Sequence, residues 1–180
     1  MKKTFIVLIL LATLIFAVAG QDRIEWNENK RLTINDFKGT PPDPLVHQSL
    51  IAKMGVDTNL DDPEIKTLKT FNRQVTNYFY PNDSWILWTD KSRLRYSLTL
   101  FDMDEWMARE LRKRLNDNRE QVLLTGHEKI LHEVRSEFVI LREQYNGETE
   151  YGSNPIGQMK WESKIMERLS SLSAYCKTCE

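Results

Sequence analysis

The chain has 180 residues and a formal charge of −1, from 25 basic and 26 acidic side chains. This length fits one domain of ordinary size. Because both signs of charge are interspersed along the sequence, there is no footprint for nucleic acid or for an acidic membrane surface, and we exclude partners of those two kinds.

Residues 1–20 have the pattern of a secretory signal peptide. Lys2 and Lys3 precede an apolar run over residues 5–16, and small residues follow it where a signal peptidase would cut. The run is shorter than the ~20 residues that cross a bilayer, although an uncleaved anchor is the alternative interpretation. We predict a domain over residues 21–180 that is exported to the periplasm or the extracellular space, without membrane insertion.

Strand patterns occupy the first part of this domain. Residues 24–26 and 31–34 predict two short strands around a polar turn, and residues 45–56 predict another from a weak pattern. The best-defined strand covers residues 71–80, which are rich in aromatic and β-branched side chains, and Pro81 begins the turn that closes it.

Three helices are predicted after the strands. The first covers about residues 90–115, and the second has apolar side chains at helical spacing over residues 123–145, where a capping-box pattern at residues 125–128 favours a second start. Asn154 and Pro155 begin the third helix as a cap residue and a first-turn proline. Strands early and helices late predict an α+β domain with helices packed on a small, mostly antiparallel sheet.

The first helix carries apolar residues on two sides. One stripe contains Leu94, Leu98, Phe101, Ala108, Leu111 and Leu115, and the other contains Tyr96, Leu100, Met103 and Met107. We therefore predict that this helix is central and lies between layers. The carboxylates Asp102, Asp104 and Glu105 are interpreted as solvated or ion-paired surface, except that an inward-facing Asp102 would anchor an arginine or a backbone amide.

The only cysteines, Cys176 and Cys179, lie in a short C-terminal tail over residues 173–180. In an oxidising compartment a local disulfide between them is expected. A thioredoxin-like redox centre would need the pair at the start of a helix that follows a strand, and a zinc site would need two further soft ligands.

Three segments of the sequence resemble one known family. They are residues 31–39 (Arg-Leu-Thr-Ile-Asn-Asp-Phe-Lys-Gly), residues 93–115, and residues 145–152 (Tyr-Asn-Gly-Glu-Thr-Glu-Tyr-Gly). Together they are similar to the secreted bacterial family catalogued as domain of unknown function 922, whose members are described as zinc-dependent peptidases of zincin-like type. The resemblance implies a single zincin-like domain over residues 21–180.

The sequence departs from that family at the chemical positions. In the family the first helix carries His-Glu-x-x-His-Phe-Asp and then Ala-Arg-x-Leu-Arg-Lys, and a later Glu-Thr-x-His-Gly segment offers a third ligand. This chain keeps the Phe-Asp step and the Ala-Arg run. The resemblance places Tyr96, Leu100 and Tyr151 at the three histidines and Ser97 at the glutamate.

These four replacements remove the donors that zinc requires. Leucine has no lone pair, serine is not a useful base near neutral pH, and tyrosine is a poor ligand unless ionised, with an ordinary pKa of about 10. We therefore expect no catalytic residue and no metal or other cofactor at these positions. Packed core is the favoured interpretation of Tyr96 and Leu100, and a tyrosine-based site is the alternative.

A relocated metal site is the remaining option for catalysis. Glu128 and His132 share a helix face at i and i+4, which makes them a weak alternative zinc site, although a simple side-chain pair is commoner. His127 and His132 are five residues apart, about 140° around a helix, so they cannot share one ion. We predict that His127 is a hydrogen-bonded core histidine and that His132 faces solvent. His47 has no partner that we can assign.

The sequence thus predicts an exported, non-catalytic zincin-like domain that binds an unknown protein or peptide or has a structural role in the cell envelope. Two alternatives stay open. One is a zinc-dependent peptidase or hydrolase with a rearranged metal site, and the other is a purely structural envelope protein that keeps its signal.

Overall fold

The computed structural model describes residues 22–41, 49–87 and 91–177. In these residues the strands are β1 (Ile24–Glu25), β2 (Leu50–Ile51), β3 (Met54–Thr58), β4 (Val75–Phe79) and β5 (Trp85–Ile86). The helices are α1 (Lys91–Asp117), α2 (Arg119–Thr125), α3 (Glu128–Thr149) and α4 (Pro155–Ser171). The α+β class is confirmed, but the prediction of three helices is wrong, because the second one is divided into α2 and α3.

Gly126 causes this division. Its φ of 90° lies in a region that other residues rarely adopt, and its amide closes α2 on the carbonyl of Val122 at 3.0 Å. The predicted capping box is wrong, because the hydroxyl of Thr125 donates to the carbonyl of Gln121 at 3.0 Å instead. His127 is the cap residue of α3.

β4 is the middle strand of a three-stranded antiparallel sheet of order β1-β4-β3. Ile24 lies opposite Phe79, and Thr58 lies opposite Val75. β2 and β5 form a separate antiparallel pair, with Leu50 opposite Ile86. The predicted antiparallel character is therefore confirmed.

The individual strand predictions have different outcomes. The first and the last are confirmed in part, as β1 and β4, and a 3₁₀ turn occupies Asn72–Gln74 before β4. The strand predicted over residues 31–34 is wrong, because a 3₁₀ turn forms at Ile34–Asp36 and the Asp36 carboxylate accepts a hydrogen bond from the Thr33 amide at 2.7 Å. Residues 45–48 lie outside the described residues, and the rest of that prediction contains β2 and the first part of β3.

α1 is the central element of the fold, as predicted. It contacts β3 and β4 on one side and α3 and α4 on others. Both of its apolar stripes contribute to the core, through Phe101, Ala108, Leu111 and Leu115 from one and Tyr96, Leu100 and Met103 from the other. The predicted start of α4 is also confirmed, because the side-chain oxygen of Asn154 accepts hydrogen bonds from the amides of Ile156 and Gly157 at 3.2 Å each.

The C-terminal segment packs on the domain. Ser173–Tyr175 forms a 3₁₀ turn that contacts α1, and the following Cys176 is buried and disulfide-bonded. Cys179, the only other cysteine of the chain, lies outside the described residues, as do the predicted signal peptide and His47. Within the described ranges, no helix combines the length and apolar character that a bilayer crossing requires.

Candidate functional site

The structure brings together positions that the family resemblance assigns to metal binding. Tyr96 and Leu100 lie one turn apart on α1, and Tyr151 lies in the turn that follows α3. The ring centroids of Tyr96 and Tyr151 are 6.4 Å apart. However, the two α1 side chains belong to the hydrophobic core, with exposures of only 7% and 9%. We call this region the substituted turn.

The surroundings of Tyr96 keep its phenol neutral. Its ring stacks on that of Tyr145 in α3, with centroids 5.1 Å apart and planes 10° from parallel, and its hydroxyl donates to the side-chain carbonyl of Asn146. Burial raises the pKa of Tyr96 to about 12, and the charge of Arg142 opposes this shift only in part. A neutral, hydrogen-bonded phenol is a poor ligand for zinc.

The other α1 positions of the substituted turn also lack suitable donors. Leu100 offers only hydrocarbon, and Ser97 is almost fully buried with no hydrogen-bond partner for its hydroxyl among the described residues. Since zinc needs several nitrogen, sulfur or carboxylate ligands, the substituted turn does not fit a zinc ion. More widely, no group of three or more His, Cys, Asp or Glu in the described part of the chain is arranged to hold a metal.

Gly152 determines how closely the loop after α3 approaches α1. It has a φ of 89°, and a Cβ atom at this position would lie 2.7 Å from the Cβ of Tyr96. Glu150 and Tyr151 before it also have positive φ values, of 51° and 53°. This left-handed run turns the chain sharply, so that Tyr151 is exposed while Gly152 packs directly on Tyr96.

The alternative metal pair lies elsewhere on the surface. Glu128 and His132 are both exposed on the first turns of α3, which confirms the prediction that His132 faces solvent. His127 is only partly buried, at the helix start rather than in the core, and its Nε2 lies 4.0 Å from Oδ1 of Asp61.

Three charged residues of α1 form a buried cluster that sequence patterns did not indicate. The Glu105 carboxylate accepts hydrogen bonds from Nε of Arg109 at 3.1 Å and from Nη1 of Arg112 at 2.9 Å. Arg112 also donates to the carbonyls of Val75 in β4 at 2.9 Å and of Tyr175 at 2.8 Å. The prediction of a surface location is therefore wrong for Glu105, because the sheet and the C-terminal turn cover this face of α1, although ion pairing is correct.

The predicted surface location is also wrong for Asp104, which lies on another side of α1. It is almost fully buried, and its carboxylate contacts the guanidinium of Arg142 in α3. Burial raises the pKa of Asp104, and the charge of Arg142 opposes this shift. One carboxylate oxygen, Oδ2, has no partner among the described residues.

Asp102 faces inward and anchors an arginine, as predicted for an inward-facing Asp102. Its two oxygens accept hydrogen bonds from the guanidinium of Arg31 at 2.6 Å each, and Oδ1 also accepts one from the indole of Trp26 at 2.9 Å. A bidentate arginine–carboxylate pair fixes orientation as well as distance. Asp102 thereby holds the segment after β1 against α1.

A cleft of about 570 Å³ opens between that segment, α1 and α4, and we call it the apolar cleft. Its aliphatic surface comes from Leu98, Ile165, Met166 and Leu169, and its polar surface comes mainly from Glu28, Arg31, Arg95, Thr99, Asp102, Arg109, Glu162 and two serines. Trp26 completes one wall. This volume lies within the usual range of sites for small molecules or for a few side chains of a partner.

Four of the charged side chains around the apolar cleft form two bidentate pairs. Besides Arg31 with Asp102, the guanidinium of Arg95 donates to both oxygens of Glu162 at 2.7 and 2.6 Å. These hydrogen bonds lower the pKa of Glu162 and raise that of Arg95. The hydrogen bonds that Arg31 donates to Asp102 raise the pKa of Arg31, and the charge of Glu162 adds to this shift. Positive and negative groups are therefore neighbours at the cleft.

A buried chain of hydrogen bonds links the substituted turn to the apolar cleft. The hydroxyl of Tyr145 donates to Oε1 of Gln158 at 2.9 Å, and the Gln158 amide donates to Oγ1 of Thr99 at 2.7 Å and to Oε1 of Glu162 at 3.0 Å. Burial raises the pKa of Tyr145, so its hydroxyl stays protonated. Because Tyr145 stacks on Tyr96, packing at the substituted turn helps to position Glu162.

No sequence pattern indicated the apolar cleft. Leu98 belongs to a predicted apolar stripe of the first helix, but its exposure to a common opening with Ile165 depends on how α1 and α4 pack. No family model matches the chain, and no curated protein or solved structure matches it significantly.

Proposed function

We propose that the protein is an exported, non-catalytic domain on a zincin-like scaffold, and that its apolar cleft binds a peptide or an extended segment of another protein. One observation carries the proposal. Side chains without metal-binding chemistry occupy the substituted turn, whereas the neighbouring cleft is open and has both aliphatic and charged surfaces. The resemblance to the domain of unknown function 922 family supports the scaffold and a location in the cell envelope.

The composition of the cleft suits a peptide. Its aliphatic side chains can receive one or two apolar side chains, and its arginines and carboxylates can hydrogen-bond to main-chain carbonyl and amide groups. Two features hold the walls in place before binding, namely the Arg31–Asp102 pair and the hydrogen bond from Gln158 to Glu162. Such preorganisation reduces the entropy that binding costs.

A selection of random peptides on the purified protein tests this function. We expect the selected peptides to contain an apolar anchor residue and to bind one per chain. Met166→Asp should lower their affinity on the order of tenfold or more, because it places a charge in the apolar part of the cleft.

Met159→Asp is the matched control. Met159 lies on the same helix and is 60% exposed, against 56% for Met166, but it does not line the cleft. Equal effects of the two substitutions, or selected peptides that bind both variants as well as the unchanged protein, would show that binding occurs elsewhere.

The competing hypothesis is a hydrolase that uses zinc at Glu128 and His132. These two residues need a third donor, and the described part of the chain offers no such group. Metal analysis of the purified protein separates the two hypotheses. Stoichiometric zinc that is lost in His132→Ala would contradict a non-catalytic domain, whereas the proposed function predicts the same low metal content in both proteins.

A further inference from the structure

A second cleft, distinct from the apolar one, has a strongly basic surface. It encloses about 580 Å³ beside β3 and β4, and we call it the basic cleft. Arg23, Arg73, Arg135 and Lys177 line it, and Asp57 is the one acidic residue among its lining side chains. The two clefts share no lining residue. We propose that the basic cleft binds a soluble ligand that carries at least two phosphate or sulfate groups.

The positive charge of the basic cleft is local. The four cations exceed their two nearest acidic partners, Asp57 and Glu25, by two positive charges, whereas the whole chain has a formal charge of −1. The cations come from four separate parts of the chain, before β1, before β4, from α3 and from the C-terminal segment. Folding therefore brings together charges that repel one another, and an anion in the cleft would relieve this repulsion.

Two of these cations already have acidic partners. Nη1 of Arg23 lies 3.2 Å from Oδ2 of Asp57, and its guanidinium lies over the ring of Tyr78 at 4.2 Å from the centroid. Nζ of Lys177 lies 3.0 Å from Oε1 of Glu25 and donates to the hydroxyl of Thr76 at 2.8 Å. These contacts hold both cations at the walls of the cleft.

The other two cations carry the argument for a ligand. The side chains of Arg73 and Arg135 are exposed, and their guanidinium groups make no ion pair or hydrogen bond with any residue that the structure describes. A guanidinium presents several N–H groups in one plane, which matches two oxygens of a phosphate or sulfate group. The side-chain amide of Gln74, which also lines the cleft, adds an uncharged donor.

The size and charge of the cleft indicate a ligand with more than one anionic group. Its volume is in the range of sites for drug-sized molecules, and its two unpaired guanidinium groups belong to different elements, the turn before β4 and α3. Polar side chains dominate the lining, so the ligand is recognised through its charges. A single concave site with a local excess of positive charge suits a compact polyanion rather than a nucleic acid, whose backbone needs an extended basic surface.

Calorimetric titration of the purified protein with tripolyphosphate, and separately with a disulfated disaccharide, tests the proposal at low and at moderate salt. We expect saturable binding of at least one of these probes at one per chain, with an affinity that falls as salt screens the charges. The double variant Arg73→Gln/Arg135→Gln should weaken that binding on the order of tenfold or more.

A double variant with the same change in net charge is the control. Lys30→Gln/Lys66→Gln removes two exposed cations outside the basic cleft, and we expect it to change the affinity by less than about twofold. Equal losses in the two double variants would overturn the proposal, because general charge attraction would then explain binding. The proposal would also be overturned if neither probe bound. Phosphatidylglycerol vesicles are titrated as a third ligand, and binding of these vesicles alone would overturn it as well. Thermal unfolding of each variant verifies that the fold is intact.

Discussion

Substitution of Gly152 by alanine tests the contact between the substituted turn and α1. The added Cβ would lie 2.7 Å from the Cβ of Tyr96, whereas ordinary contacts of this kind are 3.4–4 Å. The backbone φ of 89° is a second obstacle, because it lies in a region that alanine rarely adopts. We therefore expect Gly152→Ala to destabilise the protein.

The two effects determine the size of the loss. A left-handed backbone costs a non-glycine residue about 1–2 kcal/mol, and forced repacking in a dense contact costs about 1–3 kcal/mol. Reduced freedom of the unfolded chain returns about 0.4–1 kcal/mol. The expected decrease in the free energy of unfolding is therefore about 3 kcal/mol, a large part of the 5–15 kcal/mol that is usual for a domain.

Urea unfolding followed by circular dichroism measures this change, and Gly147→Ala supplies the control. Gly147 lies within α3, and an added Cβ there would meet nothing within 4 Å. Alanine should stabilise the helix at this position by about 0.5–1 kcal/mol, so the two substitutions should have opposite signs. If Gly152→Ala leaves stability unchanged while Gly147→Ala increases it, the close packing of the loop on Tyr96 is refuted.

Three further predictions concern residues of α1. Leu100→Asp should lower the free energy of unfolding by about 3–5 kcal/mol, because it buries an unpaired charge. The control Leu124→Asp, at a site that is 84% exposed, should change the free energy of unfolding by less than about 0.5 kcal/mol. Similar urea midpoints for the two variants would place Leu100 in an open site. Glu105→Gln should lower the free energy of unfolding by about 3–5 kcal/mol, because it leaves buried arginines without their carboxylate. The control Glu137→Gln removes a surface partner of Arg114 and should lower it by less than about 1 kcal/mol. Equal losses in the two variants would contradict the buried cluster. Because folding raises the pKa of Tyr96 from about 10 to about 12, its stabilising contribution is complete below pH 10 and is lost as the pH rises towards 12. Unfolding at pH 9 and pH 11 should show a smaller alkaline loss of stability in Tyr96→Phe, and an unchanged loss would mean that this phenol is not buried.

Periodic patterns predicted the helices well because each helix buries a continuous apolar stripe. The two stripes of α1 correctly placed this helix between layers, and Asn154 with Pro155 correctly marked the start of α4. Short segments were harder to predict. The residues around Ile34 satisfy their hydrogen bonds through the Asp36 carboxylate instead of a neighbouring strand, and no local pattern distinguishes the two arrangements.

The buried charges could not have been predicted from the sequence alone. Glu105 and Arg112 resemble any exposed pair on a charged helix, and only the packing of β4 and the C-terminal turn removes them from solvent. Both clefts have the same origin. The apolar cleft depends on the packing of α1 against α4, and the basic cleft depends on chain segments as distant as Arg23 and Lys177.

Arg112 has a consequence for the C-terminal end of the described chain. Its guanidinium group donates hydrogen bonds to the carbonyl of Val75, the carbonyl of Tyr175 and the carboxylate of Glu105. If Ser173–Tyr175 detached from α1, Arg112 would lose one hydrogen-bond acceptor, while its hydrogen bonds to Val75 and Glu105 remained. Fraying that begins at this end should therefore stop at the turn Ser173–Tyr175. The amide hydrogens of that turn should exchange at rates closer to those of β4 than to those of a free chain terminus.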